Sequence, residues 1–392
     1  MNNRCDLFIF AGESSGDLHG GALLDELCMQ QPKLNIAAVA GPRMRRDGVL
    51  CLMPMEKFQV MGALDVLIAL PKITYLFYSL AHQILKLNPK VAVFIDYTSF
   101  SLSMEKYLRK KGFKGQLIQY ICPKIWIHGK QRIKKMEKNL DQVLCILPFE
   151  EKCFLNSSLQ ANYVGNPVVN RIEQYIHNDI SELRDKTIIS FFSGSRSKEI
   201  LKNFPLYCEL IALWHEKHPS FHFALSITHE NLIPWMKKKL SKYNLSSSNR
   251  IYFIPSQKNY DLMKLSYMAV AKSGTVNLEL ALHRVPTIVT YAITKLDLLI
   301  AEYFFKFSLS TFYSLPNILT QKRVFPELMG PNFTLKNLIA EAEALLDPKN
   351  YVLCQKDCDT LKNILGNRQA SKESCAHILQ KTLSYNSYLN VF

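Results

Sequence analysis

The feature that most constrains this chain is a rhythm. Short, near-continuous apolar runs rich in β-branched and aromatic residues alternate with longer helical stretches, in two successive series. The first series falls at residues 6–11, 35–40, 91–95, 117–121, 143–147 and 163–164. A strand with one face in water alternates apolar and polar residues, whereas a run that is apolar throughout must be covered on both faces. Parallel strands also need a crossover between them, and the intervening stretches supply helices of the required length. After Gly165-Asn166-Pro167 comes a polar, helix-like stretch at 168–185, and a second series follows at 187–192, 222–227, 251–254, 269–271 and 287–291. The expected fold is α/β, with two Rossmann-like doubly wound domains facing each other across a cleft. The expected boundaries are 1–170 for the N-terminal domain and 171–392 for the C-terminal domain, with the terminal helices packing back on the first. Such domains bind ligands in the loops at the carboxyl ends of their strands.

Composition decides among partners and compartments. With 48 basic against 33 acidic side chains the formal charge is +15, which suits an anionic partner: nucleic acid, acidic phospholipid or a phosphorylated substrate. Ten cysteines are scattered without a CxxC pair, several inside apolar runs, as expected of reduced, buried thiols. Cys354 with Cys358, and His215 with His218, lack further ligands nearby in sequence, so no metal site and no cofactor is expected. The first apolar stretch is interrupted by Gly12 and Glu13, unlike a secretory signal. The window 63–80 is broken by Asp65 and, in its middle, by Pro71-Lys72, and the window 296–315 by Asp297, Glu302 and Lys306, before either reaches the length of a membrane span.

Four loops at strand ends hold residue types that do chemistry. The first strand runs into Ala11-Gly12-Glu13-Ser14-Ser15-Gly16-Asp17, where glycine permits a tight turn and Asp17 is placed to cap the next helix. The segment is neither GxGxxG nor a P-loop, and the charge of Glu13 has no structural need. The run at 91–95 ends in Asp96, a carboxylate whose burial would be costly unless it serves a cleft, and hence a candidate general base. In the second half, Ser193-Gly194-Ser195-Arg196 sits between strand and helix, aiming backbone N–H groups and a guanidinium as a diphosphate would require. Ser273-Gly274-Thr275 repeats that logic, with Glu279 on the following helix placed to accept from ribose hydroxyls. Together these loops describe a nucleotide-diphosphate site.

The ordered segments AGESSGDLHGG, AVAGPRM, MEKFQVMGALDV, FIDYTSF, YICPKIW, ILPFE, YVGNP, FFSGSRSKEI, SGTVNLELAL, VPTIVTY and SLPNIL resemble the lipid-A-disaccharide synthases, GT-B glycosyltransferases. The resemblance implies transfer of a 2,3-diacylglucosamine from UDP to the 6-hydroxyl of 2,3-diacylglucosamine 1-phosphate, with inversion, giving a β-1′,6-linked disaccharide 1-phosphate for the lipopolysaccharide of a Gram-negative cell. It implies catalytic roles for Asp96 and Glu13. Donor contacts fall to Arg196, Ser195, Ser273, Gly274, Thr275, Glu279 and Asn317, and an acceptor and lipid region to Gly12, Ser14, Met61, Leu67, Ile68 and Arg132. No metal is implied, and the diphosphate falls to Arg196 and backbone N–H groups. The chain departs from the family pattern at Ser99, where a second aspartate is usual, and at Gly129, where an arginine is usual.

The implied partners are UDP-2,3-diacylglucosamine, 2,3-diacylglucosamine 1-phosphate and the anionic surface of the inner membrane, reached from the cytoplasm; an oligomer is left open. The stretch 63–80 carries more apolar surface than one helix face needs, and is expected to be exposed in part and to dip into the leaflet through Leu67 and Ile68. Two alternatives stand beside this reading. One is another GT-B sugar-nucleotide enzyme, either an epimerase or a peptidoglycan-type transferase. The other is a basic nucleic-acid-binding protein, against which stand separate basic clusters and no nucleic-acid motif; no nucleic-acid partner is expected.

Overall fold

In this computed structural model the described residues are 5–58, 63–125, 130–293 and 312–389, with the side chains of 63–69, 130 and 384–389 outside the description. The chain divides into two compact units, Met1–Asn170 with Asn367–Phe392, and Arg171–Gly366.

The first unit runs β1 (Leu7–Ala11), α1 (Ser14–Gln30), β2 (Ile36–Ala40), β3 (Val49–Pro54), α2 (Ala63–Leu87), β4 (Val91–Ile95), α3 (Thr98–Lys110), β5 (Gln116–Tyr120), α4 (Lys130–Glu137), β6 (Gln142–Cys145), α5 (Pro148–Lys152), β7 (Gln160–Tyr163) and α6 (Pro167–Gln174), the last crossing into the second unit. Its sheet is parallel throughout, in the order β3-β2-β1-β4-β5-β6-β7. Both faces are dry. Phe8 and Phe10 of β1 pack with Phe94, Leu80 and Met104 on one side, and Leu7, Ile9 and Ala11 pack with Leu23, Leu24 and Leu27 of α1 on the other.

The second unit runs β8 (Thr187–Phe192), α7 (Ser197–Lys217), β9 (Phe221–Ile227), α8 (Ile233–Ser241), β10 (Ile251–Pro255), α9 (Asn259–Leu265), β11 (Ser266–Lys272), α10 (Val276–Leu282), β12 (Thr287–Tyr291), α11 (Leu315–Thr320), β13 (Glu327–Met329), α12 (Leu335–Leu346) and α13 (Pro348–Leu365). Its parallel sheet has the order β10-β9-β8-β11-β12-β13. The chain then returns as α14 (Ala370–Leu389), whose Cys375, Ile378 and Leu379 join the α1 side of the first core. Burying an aliphatic side chain contributes about 1.5 to 3 kcal/mol, so this return contributes to the first unit's stability.

In each sheet the strand order reverses once, between β1 and β4 and between β8 and β11. At such a point neighbouring loops diverge to opposite faces and leave a crevice at the carboxyl ends of the strands.

Three local expectations are corrected by the structure. Asp17 does not cap α1: the helix begins at Ser14 with Glu13 in the cap position, and Asp17 lies buried inside it. Its carboxylate accepts from the N–H groups of Gly41 (2.8 Å), Arg43 (2.9 Å) and Met44 (3.1 Å), tying α1 to the loop after β2. A Cβ on Gly41 would sit 2.5 Å from that carboxylate, so no larger residue fits. Pro71 does not divide the 63–80 stretch, because α2 is one helix containing it. Two edge strands, β3 and the three-residue β13, lie outside the expected series.

Candidate active site

In the first unit the crevice is built by the ends of β1 and β4. The turn from β1 into α1 needs Gly12, since a Cβ there would lie 2.8 Å from the Tyr97 ring and 2.9 Å from Phe10. Glu13 follows, its Oε1 accepting from the Ser15 hydroxyl at 3.0 Å, while Ser14 is exposed. From the adjacent strand end comes Asp96. Burial pushes the Asp96 carboxyl up, Glu13 adds to that by like charge, and the Tyr97 N–H and Lys124 pull it back. The two acids predicted from sequence are thus brought together and sense each other.

The Asp96 turn has unusual backbone. Asp96 (φ 50°) and Tyr97 (φ 45°) both occupy the left-handed region, as does β-branched Ile121 (φ 70°) just past the neighbouring strand β5. Non-glycine residues held there cost about 1 to 3 kcal/mol each and persist only where surrounding structure over-determines them. The restraints are visible. Fully buried Gln119 directs its Nε2 at the carbonyls of Asp96 (3.2 Å), Tyr120 (3.3 Å) and Ile121 (3.2 Å). The Ser101 hydroxyl also donates to the Asp96 carbonyl at 2.9 Å, and the Tyr97 hydroxyl donates to Phe58 at 2.8 Å. Gln119 carries no motif signal; only the pairing of β4 with β5 shows what it holds.

In the second unit the ends of β8 and β11 enclose a cavity of about 290 Å³, at the lower end of the range for small-molecule sites. Ser195, Ser273, Gly274, Thr275 and Glu279, all expected from sequence, line it, together with Lys272 and Glu199. Gly194 (φ 124°) permits the turn, and its missing Cβ leaves room for Glu199, which would otherwise be 2.8 Å away. Glu199 Oε2 accepts from the Ser195 N–H (3.2 Å) and Oε1 from Lys272 Nζ (2.9 Å). Lys272 is therefore the cation facing this cavity that sequence reasoning passed over: it is the last residue of β11, beside a motif whose glycine and hydroxyls drew the attention. Glu279 accepts from Tyr260 at 3.0 Å and pairs with Arg171 at 3.5 Å; burial pushes its carboxyl up and these two partners offset part of that.

Other predicted residues stand differently. Arg196 occupies the cap position of α7, with its side chain 82% exposed and 3.7 Å from Glu199, and it does not line the cavity. Asn317 is fully buried and its amide is already engaged: Nδ2 donates to Phe325 (2.8 Å) and Glu327 (2.9 Å), and Oδ1 accepts from the Phe325 N–H at 2.9 Å. In this structure that amide holds the turn against β13 and does not line the cavity at the ends of β8 and β11. Arg132 lies on α4, half-buried, and burial lowers the pKa of its guanidinium. Met61, the 126–129 segment containing Gly129, and the side chains of Leu67 and Ile68 lie outside the described residues.

Two parallel α/β domains, each with its conspicuous residues at a strand-order reversal, define a protein of the GT-B class. A UDP complex of MnaA from S. aureus shares this fold, with a TM-score of 0.64 at 15% identity over 99% of this chain and 98% of that one. The chain matches the family described as lipid-A-disaccharide synthetase over residues 7–380, and it belongs to that family. It is 34% identical to a lipid-A-disaccharide synthase of Chlamydia trachomatis serovar D over 98% of its own length and 63% of the relative's. It is 32% identical to one of Coxiella burnetii over 90% of its length and 91% of the relative's. The chain thus spans less than two thirds of the chlamydial relatives it matches.

Proposed function

We propose that this chain is a glycosyltransferase of lipid A biosynthesis that moves a 2,3-diacylglucosaminyl group from UDP to the 6-hydroxyl of 2,3-diacylglucosamine 1-phosphate, releasing UDP. The observation that carries the reading is the family match across residues 7–380 together with a desolvated carboxylate, Asp96, at the reversal point of the first sheet. In this mechanism Asp96 removes the proton from the attacking hydroxyl while the oxygen displaces UDP from the opposite face of the anomeric carbon, which inverts it. Glu13 keeps Asp96 more basic than an ordinary aspartate and orients the acceptor.

The departing diphosphate is met in the second unit by Lys272, the N–H groups of the Ser195 turn and, from its exposed position, Arg196. Glu279 takes the ribose hydroxyls. Glu199 holds Lys272 toward the cavity, so the diphosphate would take a place at a lysine that already has one carboxylate beside it. No metal is assigned to the reaction.

Acylated substrates require a lipid-facing surface. On α2, Leu76, Leu80, Ala81 and Ile84 are core, while Leu70, Tyr75 and Tyr78 are exposed at 47%, 71% and 53%. No helix among the described residues is long and apolar enough to cross a membrane. In this reading the exposed apolar side chains of α2 rest in the cytoplasmic leaflet of the inner membrane, and the net charge of +15 draws the protein to anionic lipid.

The test is direct. Purified protein incubated with UDP-2,3-diacylglucosamine and 2,3-diacylglucosamine 1-phosphate should yield disaccharide 1-phosphate and UDP by mass spectrometry. UDP with free monosaccharide and no disaccharide would instead indicate a hydrolase, and conversion of UDP-N-acetylglucosamine to its 2-epimer would favour the epimerase alternative.

A further inference from the structure

Cys122 and Cys145 lie 23 positions apart and share no metal-binding spacing, yet the fold joins them. Strands β5 and β6 pair in parallel with Tyr120 opposite Leu144, and the Ile121 N–H donates to the Leu144 carbonyl at 3.0 Å. The residues that follow, Cys122 and Cys145, therefore emerge side by side. Glu150, from the first turn of α5, completes a group in which two sulfurs and one carboxylate oxygen all lie within 4.8 Å of one another. All three residues are buried, at 5%, 0% and 1% exposure. The carboxylate is aimed, since its Oε2 accepts from the N–H groups of Ile146 (3.2 Å) and Leu147 (3.1 Å).

We propose that Cys122, Cys145 and Glu150 form a site for a thiophilic divalent cation of the zinc type. A pair of sulfurs with one oriented carboxylate suits a tetrahedral, borderline-soft ion, with water in the fourth position. Backbone N–H groups fixing the ligating carboxylate are the outer-shell support such sites require. Loading replaces the protons of the ligating groups, which leave to solvent, by one M²⁺ ion, and two thiolates with a carboxylate around it leave one net negative charge. The ion would tie the segment after β5 to the end of β6, and so brace the strand end whose Gln119 supports the Asp96 turn. This is separate from the transfer chemistry and stands whether or not the donor and acceptor assignments do.

Cobalt(II) titration of the reduced, chelator-treated full chain tests the site, because cobalt bound through thiolate gives a near-ultraviolet sulfur-to-metal charge-transfer band and visible bands of tetrahedral intensity. The expected result is one equivalent of Co²⁺ with both signatures, displaced by Zn²⁺. Cys122→Ser and Cys145→Ser should each weaken binding at least tenfold, whereas Cys153→Ser, which alters a nearby exposed thiol, should leave it unchanged. The measurement on the unsubstituted chain is decisive by itself if a variant fails to fold. Absence of the charge-transfer band at stoichiometric Co²⁺, or a band that persists undiminished in both Cys122→Ser and Cys145→Ser, overturns the proposal.

Discussion

At the scale of single residues, the acidic pair at the first crevice sets a pH dependence whose sign follows from its geometry. Glu13 raises the Asp96 carboxyl by like charge, so neutralising Glu13 lowers it. Glu13→Gln should therefore move the acid limb of the kcat/KM profile to lower pH, whatever it does to the plateau; a limb that stays put or moves up would remove the coupling. Gln119 acts on the same aspartate from behind. Gln119→Leu takes one donor from each of three carbonyls, of which those of Asp96 and Tyr120 keep a second, and loosens a turn held at positive φ. The expected outcome is a roughly 10- to 100-fold lower kcat, of the size that small misplacements of reacting groups produce, with UDP affinity unchanged in calorimetry. An unaltered kcat would mean that the turn holds itself. Neither residue stood out equally in the sequence. Asp96 was legible because a charge ending an apolar strand needs explaining, whereas Gln119 within a strand reads as one more polar residue.

At the scale of elements, legibility tracked burial. Central strands such as β1 and β4 are apolar at every position and were found within a residue of their observed bounds. The edge strand β3 is largely exposed, and β13 has only three residues, so neither supplies a doubly buried run. Helix α3 carries a feature visible only when packed. Glu105 is fully buried with both carboxylate oxygens unpartnered among the described residues, and burial pushes its pKa from 4.5 to about 8, with Arg109 acting weakly against this. A carboxyl raised in the folded state binds a proton that the unfolded state has lost, so its contribution falls as pH rises from about 4.5 to about 8. Glu105→Gln should thus stabilise the protein at pH 8 by on the order of 1 to 3 kcal/mol, with the gain shrinking toward pH 5 in urea denaturation. A gain equal at both pH values would contradict the assignment. On α2, Tyr75→Ser with Tyr78→Ser should reduce sedimentation with anionic liposomes and raise KM for acylated acceptor while leaving UDP binding intact. Unchanged sedimentation would make these rings ordinary surface.

At the scale of the whole molecule, the proposed mechanism assigns the base and its support to the first of two units of like topology and the diphosphate and ribose contacts to the second. The repeated alternation of strand and helix announced two such units, but the sequence did not show which side chains the donor crevice would use. Lys272 ends a strand next to a glycine turn, and Asn317, expected at the donor, spends its amide on Phe325 and Glu327. The division predicts that binding and chemistry separate by mutation. UDP titrated calorimetrically into the full chain, its Asp96→Asn variant and its Lys272→Ala variant measures this most directly. The account predicts wild-type affinity in Asp96→Asn, which should lose about 10² to 10⁴ in turnover. For Lys272→Ala it predicts UDP binding weakened by roughly 10- to 100-fold, the loss of one charge-assisted contact of about 1.5 to 3 kcal/mol. Loss of UDP affinity in Asp96→Asn with full retention in Lys272→Ala would contradict it.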